Sequence, residues 1–365
     1  MAGDDVIPMW VADMDFKSPP CVIEALKERI EHGIFGYTRE GNEYYESIQK
    51  WLDKRHGWNI KNNWIYPSPG IVSGISFIIE ALTNPGDKII IQSPVYFSFF
   101  SMIKNSGRRI VENNLVNDNG YYRMDYNDLE KKIDSRTKLL ILCSPHNPVG
   151  RVWKEKELKK LGKICLENDI TVVSDEIHSD LILPGNKHLP FPKVNKKFQN
   201  NCVTFISPSK TFNFPGLEPG YVIISDSVLR REYQHILEKY DFKHNNFMAV
   251  EASKAAYNQG EEWLEILLQY LNDNINYLKK YIKDNIPEIE VISPEGTYLV
   301  WLDFRKLGVK AERLNKLLEK EAKVSLTPGN SFGEIGEGFQ RINIGCPRSR
   351  IKKALNRLKI FANKY

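Results

Sequence analysis

Three apolar runs, at 138–142, 170–174 and 202–206, each end in a cluster of polar residues, and together they constrain the fold more than anything else in the chain. Continuous runs of this kind read as strands buried on both faces, which occur in parallel sheets. A helical pattern at about 155–168 separates the first two, so the segment predicts a mostly parallel sheet covered by helices, an α/β fold. Open sheets of this type bind ligands outside the carboxyl ends of their strands. The polar residues there are therefore the first candidates for a site: Cys143-Ser144-Pro145-His146-Asn147-Pro148-Val149-Gly150, Asp175-Glu176-Ile177-His178, and Ser207-Pro208-Ser209-Lys210-Thr211-Phe212-Asn213.

Lys210 stands out among them. A lysine after a strand is ordinarily a solvated charge. Desolvation or a nearby cation would instead strip its proton, and a neutral amine condenses with an aldehyde. The other two loops carry matching chemistry. A carboxylate such as Asp175 can keep a pyridinium nitrogen protonated, and an amide and an imidazole, Asn147 and His178, are neutral donors suited to a phenolic oxygen. Two of these residues also have a plainer reading: Asp175 as a helix cap, His178 as a structural histidine.

The order of these motifs resembles the pyridoxal-phosphate enzymes of fold type I, the aspartate-aminotransferase-like class I and II superfamily. Within it, MWVADMDF (Met9 to Phe16), FGY (Phe35 to Tyr37), CSPHNPVGRVW (Cys143 to Trp153), SDEIHSDL (Ser174 to Leu181) and RINIGCPRS (Arg341 to Ser349) are similar to the MalY/PatB group of cystathionine β-lyases and cysteine desulfhydrases. The resemblance implies a large cofactor domain over 21–250 and a small domain made of 1–20 with 251–365. It implies pyridoxal 5'-phosphate bound by Lys210, Asp175, Asn147 and His178, with Tyr96 stacked on the ring and assisting catalysis. Ser207, Ser209 and a turn at Gly70, Ile71 and Val72 would hold the phosphate, and Tyr37 would reach it from the partner subunit of a homodimer. The backbone near Ala12 and the guanidinium of Arg341 would hold the substrate carboxylate. The implied reaction is β-elimination from cystathionine or another cysteine S-conjugate, releasing thiol, pyruvate and ammonia. Transamination shares every residue named, and regulation of a transcription activator by contact is a further role within the group.

Two positions depart from the family pattern. Many relatives carry a second tyrosine after Tyr96, where this chain has Phe97. The superfamily often places an arginine eight residues after the lysine, where this chain has Glu218, expected to be turned away or solvated.

The remaining sequence is consistent with this reading. At 365 residues, 42% hydrophobic and 27% charged, the chain has ample material for two cores. Its net charge of +5 comes from lysines interleaved with acids, which does not suggest nucleic-acid binding. No apolar run reaches the roughly 18 residues of a membrane span and the start lacks a basic leader region, so a cytoplasmic protein is expected. Cys21, Cys143, Cys165, Cys202 and Cys346 show no metal spacing, which points to reduced thiols and no metal site.

Helices are predicted at 20–33, with Val22, Ala25, Leu26 and Ile30 on one face, at 43–56, and from Ile71 to Leu82. The Gly-led start of the last would present free N–H groups and a positive dipole end to a phosphate. A long amphipathic helix is expected from about 245, with Trp263, Leu264, Ile266, Leu267, Tyr270, Leu271, Ile275 and Leu278 as its packing stripe. Arg341 lies in an otherwise apolar strand, where a guanidinium needs a partner. A structural salt bridge or a ligand carboxylate would each supply one.

Overall fold

Val, Ile and Leu dominate the predicted strands, and the computed structural model, which describes residues 5–365, places them at the centre of the molecule. Seven strands form the main sheet: β1 (Ile65–Pro67), β2 (Lys88–Ile91), β3 (Arg109–Glu112), β4 (Thr137–Cys143), β5 (Thr171–Asp175), β6 (Cys202–Ile206) and β7 (Tyr221–Ile224). Their spatial order is β1-β7-β6-β5-β4-β2-β3. β7 is antiparallel to both neighbours, and the other pairs are parallel. Successive side chains point to opposite faces, so both faces must be covered. Ile89, Ile91, Ile141, Val173 and Phe205 pack with helix residues on one side, and Ile90, Leu140, Leu142 and Val172 with others on the second side.

The helices α1 (Pro20–Glu31), α2 (Asn42–His56) and α3 (Gly70–Leu82) follow the predicted spans closely. Ile71, Ile75, Ile78 and Ile79 of α3 are buried against the sheet, each contributing about 1.5–3 kcal/mol by leaving water. Close approach requires Gly74: a Cβ there would stand 2.1 Å from Ser68 Oγ and 2.6 Å from the Phe205 ring. On α1 the expected face is only partly right. Val22 is fully buried, but Ile30 is exposed, beside the exposed Ile34 and Phe35.

The long helix expected from about 245 is two helices, Phe247–Gln259 and Glu261–Asn285. They join at Gly260, where a Cβ would meet the Ala256 carbonyl at 2.5 Å and the Phe212 ring at 2.7 Å. The stripe is as expected except at Ile266, which faces solvent, and at Tyr270, which is exposed and meets Phe16 edge-on.

A second sheet is antiparallel, with β8 (Glu290–Ile292), β9 (Leu299–Asp303), β10 (Thr327–Pro328) and β11 (Phe339–Asn343) in the order β8-β9-β11-β10. Ile7–Pro8 pairs in parallel with Val324–Ser325. From there the N-terminal segment runs across both halves of the molecule. Asn343 Nδ2 donates to the Val11 and Asp13 carbonyls, both at 2.5 Å. Asn213 accepts from Met14 N at 2.9 Å and donates to the Met14 and Phe16 carbonyls. Among the described residues, no helix is long and apolar enough to cross a membrane.

Candidate active site

The carboxyl ends of β4, β5 and β6 open into a cavity of about 240 Å³ that also meets the start of α3. Gly70, Ile71, Val72, Tyr96, Asn147, Asp175, His178, Ser207, Ser209, Lys210 and Ala12 all line it. A second recess of about 520 Å³ shares Ala12, Tyr96 and Lys210 and reaches Arg341. Segments more than 300 residues apart thus meet at one lysine.

Lys210 lies on the short helix Pro208–Thr211 that follows β6, capped by the Ser207 side chain. Its Nζ donates to the Ala12 carbonyl at 2.6 Å. Burial lowers its pKa and Arg341 adds to that, against the opposing pull of Asp13 and Asp175. Asp175 ends β5, accepts from Ile177 N at 3.1 Å, and is pushed up to about 7, chiefly by burial. A cation placed against that carboxylate would return it to the charged form. His178 is pushed down to about 3 by burial, with Lys210 and Arg341 adding to the shift, so it is a neutral imidazole. Its buried Nδ1 has no partner among the described residues, an unmet hydrogen-bonding group of the kind a ligand satisfies.

Asn147 sits between the cis peptide bonds Ser144–Pro145 and Asn147–Pro148; Ser93–Pro94, just before Tyr96, is also cis. Asn147 Oδ1 accepts from Arg341 Nη1 at 3.0 Å, so its carbonyl end is occupied and its amide donor end is not. Arg341, on β11, also donates through Nη2 to the Trp10 carbonyl at 2.8 Å and to Thr327 at 3.2 Å, while its buried Nε has no partner among the described residues. Neutral oxygens, not a carboxylate, surround this guanidinium, and burial lowers its pKa to about 10. The structural salt bridge left open by the sequence is absent from these contacts.

At the other end of the cavity Gly70 adopts φ +74°, a left-handed conformation that glycine alone tolerates freely, and starts α3. First-turn N–H groups have no intrahelical acceptor. Ser207 Oγ donates to the Pro219 carbonyl at 2.6 Å, accepts from Ser209 N at 3.1 Å and lies 2.8 Å from Ser209 Oγ, so the Ser207 hydroxyl is spent within its own loop while Ser209, bonded to it, also lines the cavity. Glu218 is solvated as expected but not turned away: it lines the cavity in a left-handed conformation. Tyr37 is fully exposed and lies outside its own chain's cavity.

The residue types suit pyridoxal phosphate. Unbonded N–H groups and Ser209 match a phosphate, Asp175 a pyridinium, Asn147 and His178 a phenolic oxygen, and Lys210 an aldehyde. The flat Tyr96 ring lines the same cavity.

Sequence reasoning passed over a buried layer behind this site. Asp180 accepts from His56 Nε2 at 2.9 Å, Trp51 Nε1 at 3.1 Å and Thr211 Oγ1 at 3.0 Å, tying α2 to the residue that follows Lys210. Glu176 accepts from His188 Nε2 at 2.8 Å and Ser174 Oγ at 2.9 Å. Tyr298, whose hydroxyl donates to the Ala12 carbonyl at 2.9 Å, was likewise not singled out. Asp180 stands within the motif SDEIHSDL, but nothing local in the sequence shows that α2 meets it.

Comparison with known proteins agrees with this geometry. Residues 4–358 match the family Aminotransferase class I and II. Cystathionine beta-lyase PatB of Bacillus subtilis is 43% identical over 97% of this chain and 92% of its own length. Cystalysin from Treponema denticola, solved with pyridoxal 5'-phosphate, superposes with a TM-score of 0.97 at 37% identity, over 100% of this chain and 92% of the other. The PLP-bound C-S lyase from Staphylococcus hominis gives a TM-score of 0.92 at 37% identity, over 98% and 91%. By sequence, by fold and by the residues gathered around Lys210, the chain belongs to the class I and II aminotransferase family and, within it, to the MalY/PatB-type group.

Proposed function

We propose that the protein is a pyridoxal-phosphate-dependent carbon–sulfur β-lyase that cleaves cystathionine or other cysteine S-conjugates to a thiol, pyruvate and ammonia. The observation that carries this reading is the meeting of Lys210 and Arg341 in one recess that continues into the cavity of Asp175, Asn147 and His178. When bound, the cofactor supplies a conjugated ring that takes up the electron pair left as the substrate's Cα–H bond breaks.

The chain's own groups do the rest. Asp175 would hold a ring nitrogen in its protonated form, and neutral His178 and the amide end of Asn147 would serve as donors to a phenolic oxygen. Arg341 offers its fork to the α-carboxylate in a site where water is scarce, so the charge-assisted bonds are strong. That fixes Cα relative to Lys210, whose lowered pKa suits it to accept the proton. Phe97 has no hydroxyl, which leaves protonated Lys210 and Tyr96 as donors to the departing sulfur.

We further propose a homodimer in which Tyr37 completes the partner's phosphate site. The exposed run of Ile34, Phe35 and Tyr37 supports it, as contiguous apolar surface tends to mark an interface. Five free cysteines, four of them buried, agree with a reducing compartment such as the cytoplasm.

The test is to incubate the yellow holoenzyme with L-cystathionine and an S-alkyl cysteine and to assay pyruvate and free thiol. Stoichiometric release of both is expected. Bleaching of the cofactor that a 2-oxo acid reverses, with neither product, would instead identify an aminotransferase. Lys210→Ala is expected to abolish both turnover and the visible band of the bound cofactor.

A further inference from the structure

The recess beside Lys210 contains the face where the substrate's β-substituent must lie, since Arg341 holds one end of the amino acid and Lys210 the other side of Cα. Apart from these two cations, its lining among the described residues is Trp10, Val11, Ala12, Tyr96, Phe97, Thr327 and Ser331. The aromatic wall is fixed: Phe97 packs on Tyr96 at 4.8 Å between centroids and edge-on against Phe332 at 6.0 Å. Thr327 already donates to the Trp10 carbonyl at 3.0 Å. Ser331 and Tyr96 are therefore the hydroxyls of the lining left without a hydrogen bond among the described residues, and no carboxylate lines the recess.

Resting on the lyase reading above, we infer that this recess selects cysteine S-conjugates with neutral, apolar β-substituents, alkyl or aryl, over substrates whose distal end is charged. Cystathionine carries an ammonium and a carboxylate at its far end. Entering the recess, both lose water, and neither meets a partner of opposite sign there: no carboxylate lines the recess, Arg341 is taken by the α-carboxylate and Lys210 faces Cα. Desolvating an unpaired charge is costly, whereas an alkyl or aryl group gains by covering Trp10 and Phe97. Asp13, whose charge reaches Lys210, stands outside the recess with an exposed side chain, where solvent screens its attraction for a distal ammonium.

Binding can be separated from chemistry with amino acids that have no β leaving group. The holoenzyme's dissociation constants for norleucine, lysine and 2-aminoadipate, of similar length but neutral, cationic and anionic at the far end, would be measured by calorimetry. Norleucine is expected to bind at least about tenfold more tightly than either charged analogue, and Phe97→Asp to shift the norleucine-to-lysine ratio toward lysine by a similar factor. Trp10→Ala should weaken norleucine severalfold. Lysine or 2-aminoadipate binding as tightly as norleucine, or a Trp10→Ala variant that binds norleucine unchanged, would overturn the inference. Pyruvate release from β-chloroalanine, whose leaving group is too small to need the recess, tests the lyase reading separately. Its absence would sink that reading whatever the order of binding.

Discussion

At the scale of single residues, charge state follows from burial. The folded Asp175 carboxyl is raised to about 7 from an ordinary 3.8 because burial penalises its charge. In the cofactor-free protein, stability from this group is therefore full below its unfolded value and lost as pH rises through 7. A shift of roughly three units corresponds to at most about 4 kcal/mol. His178, pushed down to about 3, acts in the opposite sense and costs stability as pH falls below its ordinary 6.5. The difference between wild type and Asp175→Asn isolates the first effect: urea titrations of the two apoproteins should converge at pH 4 and diverge by pH 8, with the asparagine variant gaining. A flat difference would mean the carboxylate finds a cation in the apoprotein. Arg341→Lys keeps the charge but loses the planar fork, so KM for the amino-acid substrate should rise about tenfold or more, with a smaller change in kcat.

The chemistry of Lys210, Asp175, Asn147 and His178 was legible in the sequence because each stands at the end of an apolar strand, that of Arg341 because it interrupts one, and the remaining site residues came from the family resemblance; the structure brings all but Tyr37 to one pair of recesses. Hydrogen-bond commitments were not legible. That Ser207 is spent on Pro219 and Asn147 Oδ1 on Arg341 depends on where separate loops come to rest.

At the scale of elements, the turn carrying Lys210 is held from behind. Asp180 takes donors from α2 and from Thr211, and burial without them would leave an unpaired charge. Removing one partner of a buried charge typically costs 3–5 kcal/mol. Asp180→Leu removes the charge itself, so its loss should be smaller, about 1–3 kcal/mol by urea unfolding, while Thr211→Val and His56→Leu, which strip donors and leave the carboxylate, should each cost more than their size suggests. The contacts of Asp180 with Trp51 and His56 join residues more than 120 positions apart, and a pattern of period two or 3.6 carries no record of them. The break at Gly260 escaped for a related reason. The predicted stripe begins at Trp263 and says nothing of the chain before Gly260, and the close approach of the Ala256 carbonyl and the Phe212 ring at that glycine is visible only in the fold.

At the scale of the molecule, the proposed sharing of sites between subunits has a direct consequence. Lys210→Ala and Tyr37→Ala would each leave a homodimer with two damaged sites. Mixed and allowed to exchange subunits, they form heterodimers in which one site carries both lesions and the other none. Random pairing should thus restore roughly a quarter of the wild-type sites, read as pyruvate release that appears only on mixing. No recovery, with exchange shown by differently tagged subunits, would place Tyr37 outside the site. The doubly wound sheet at this scale was readable from the alternation of strand and helix. That the segment around Ala12 reaches the site was implied by the family resemblance; how its passage across both halves is pinned was not readable, since Asn213 and Asn343 look like ordinary loop and strand residues in sequence.

That passage bears on how the protein comes into being. Translation makes Ala12 well before Lys210 and more than 300 positions before Asn343, whose side chain anchors the Ala12 segment. A nascent chain can therefore build its parallel sheet while that segment still waits, and Lys210 stays without its Ala12 contact until Asn343 has been made. A chain cut short before Asn343 would have the lysine but not the anchor of the segment that meets it, so the site is completed late in the order of synthesis.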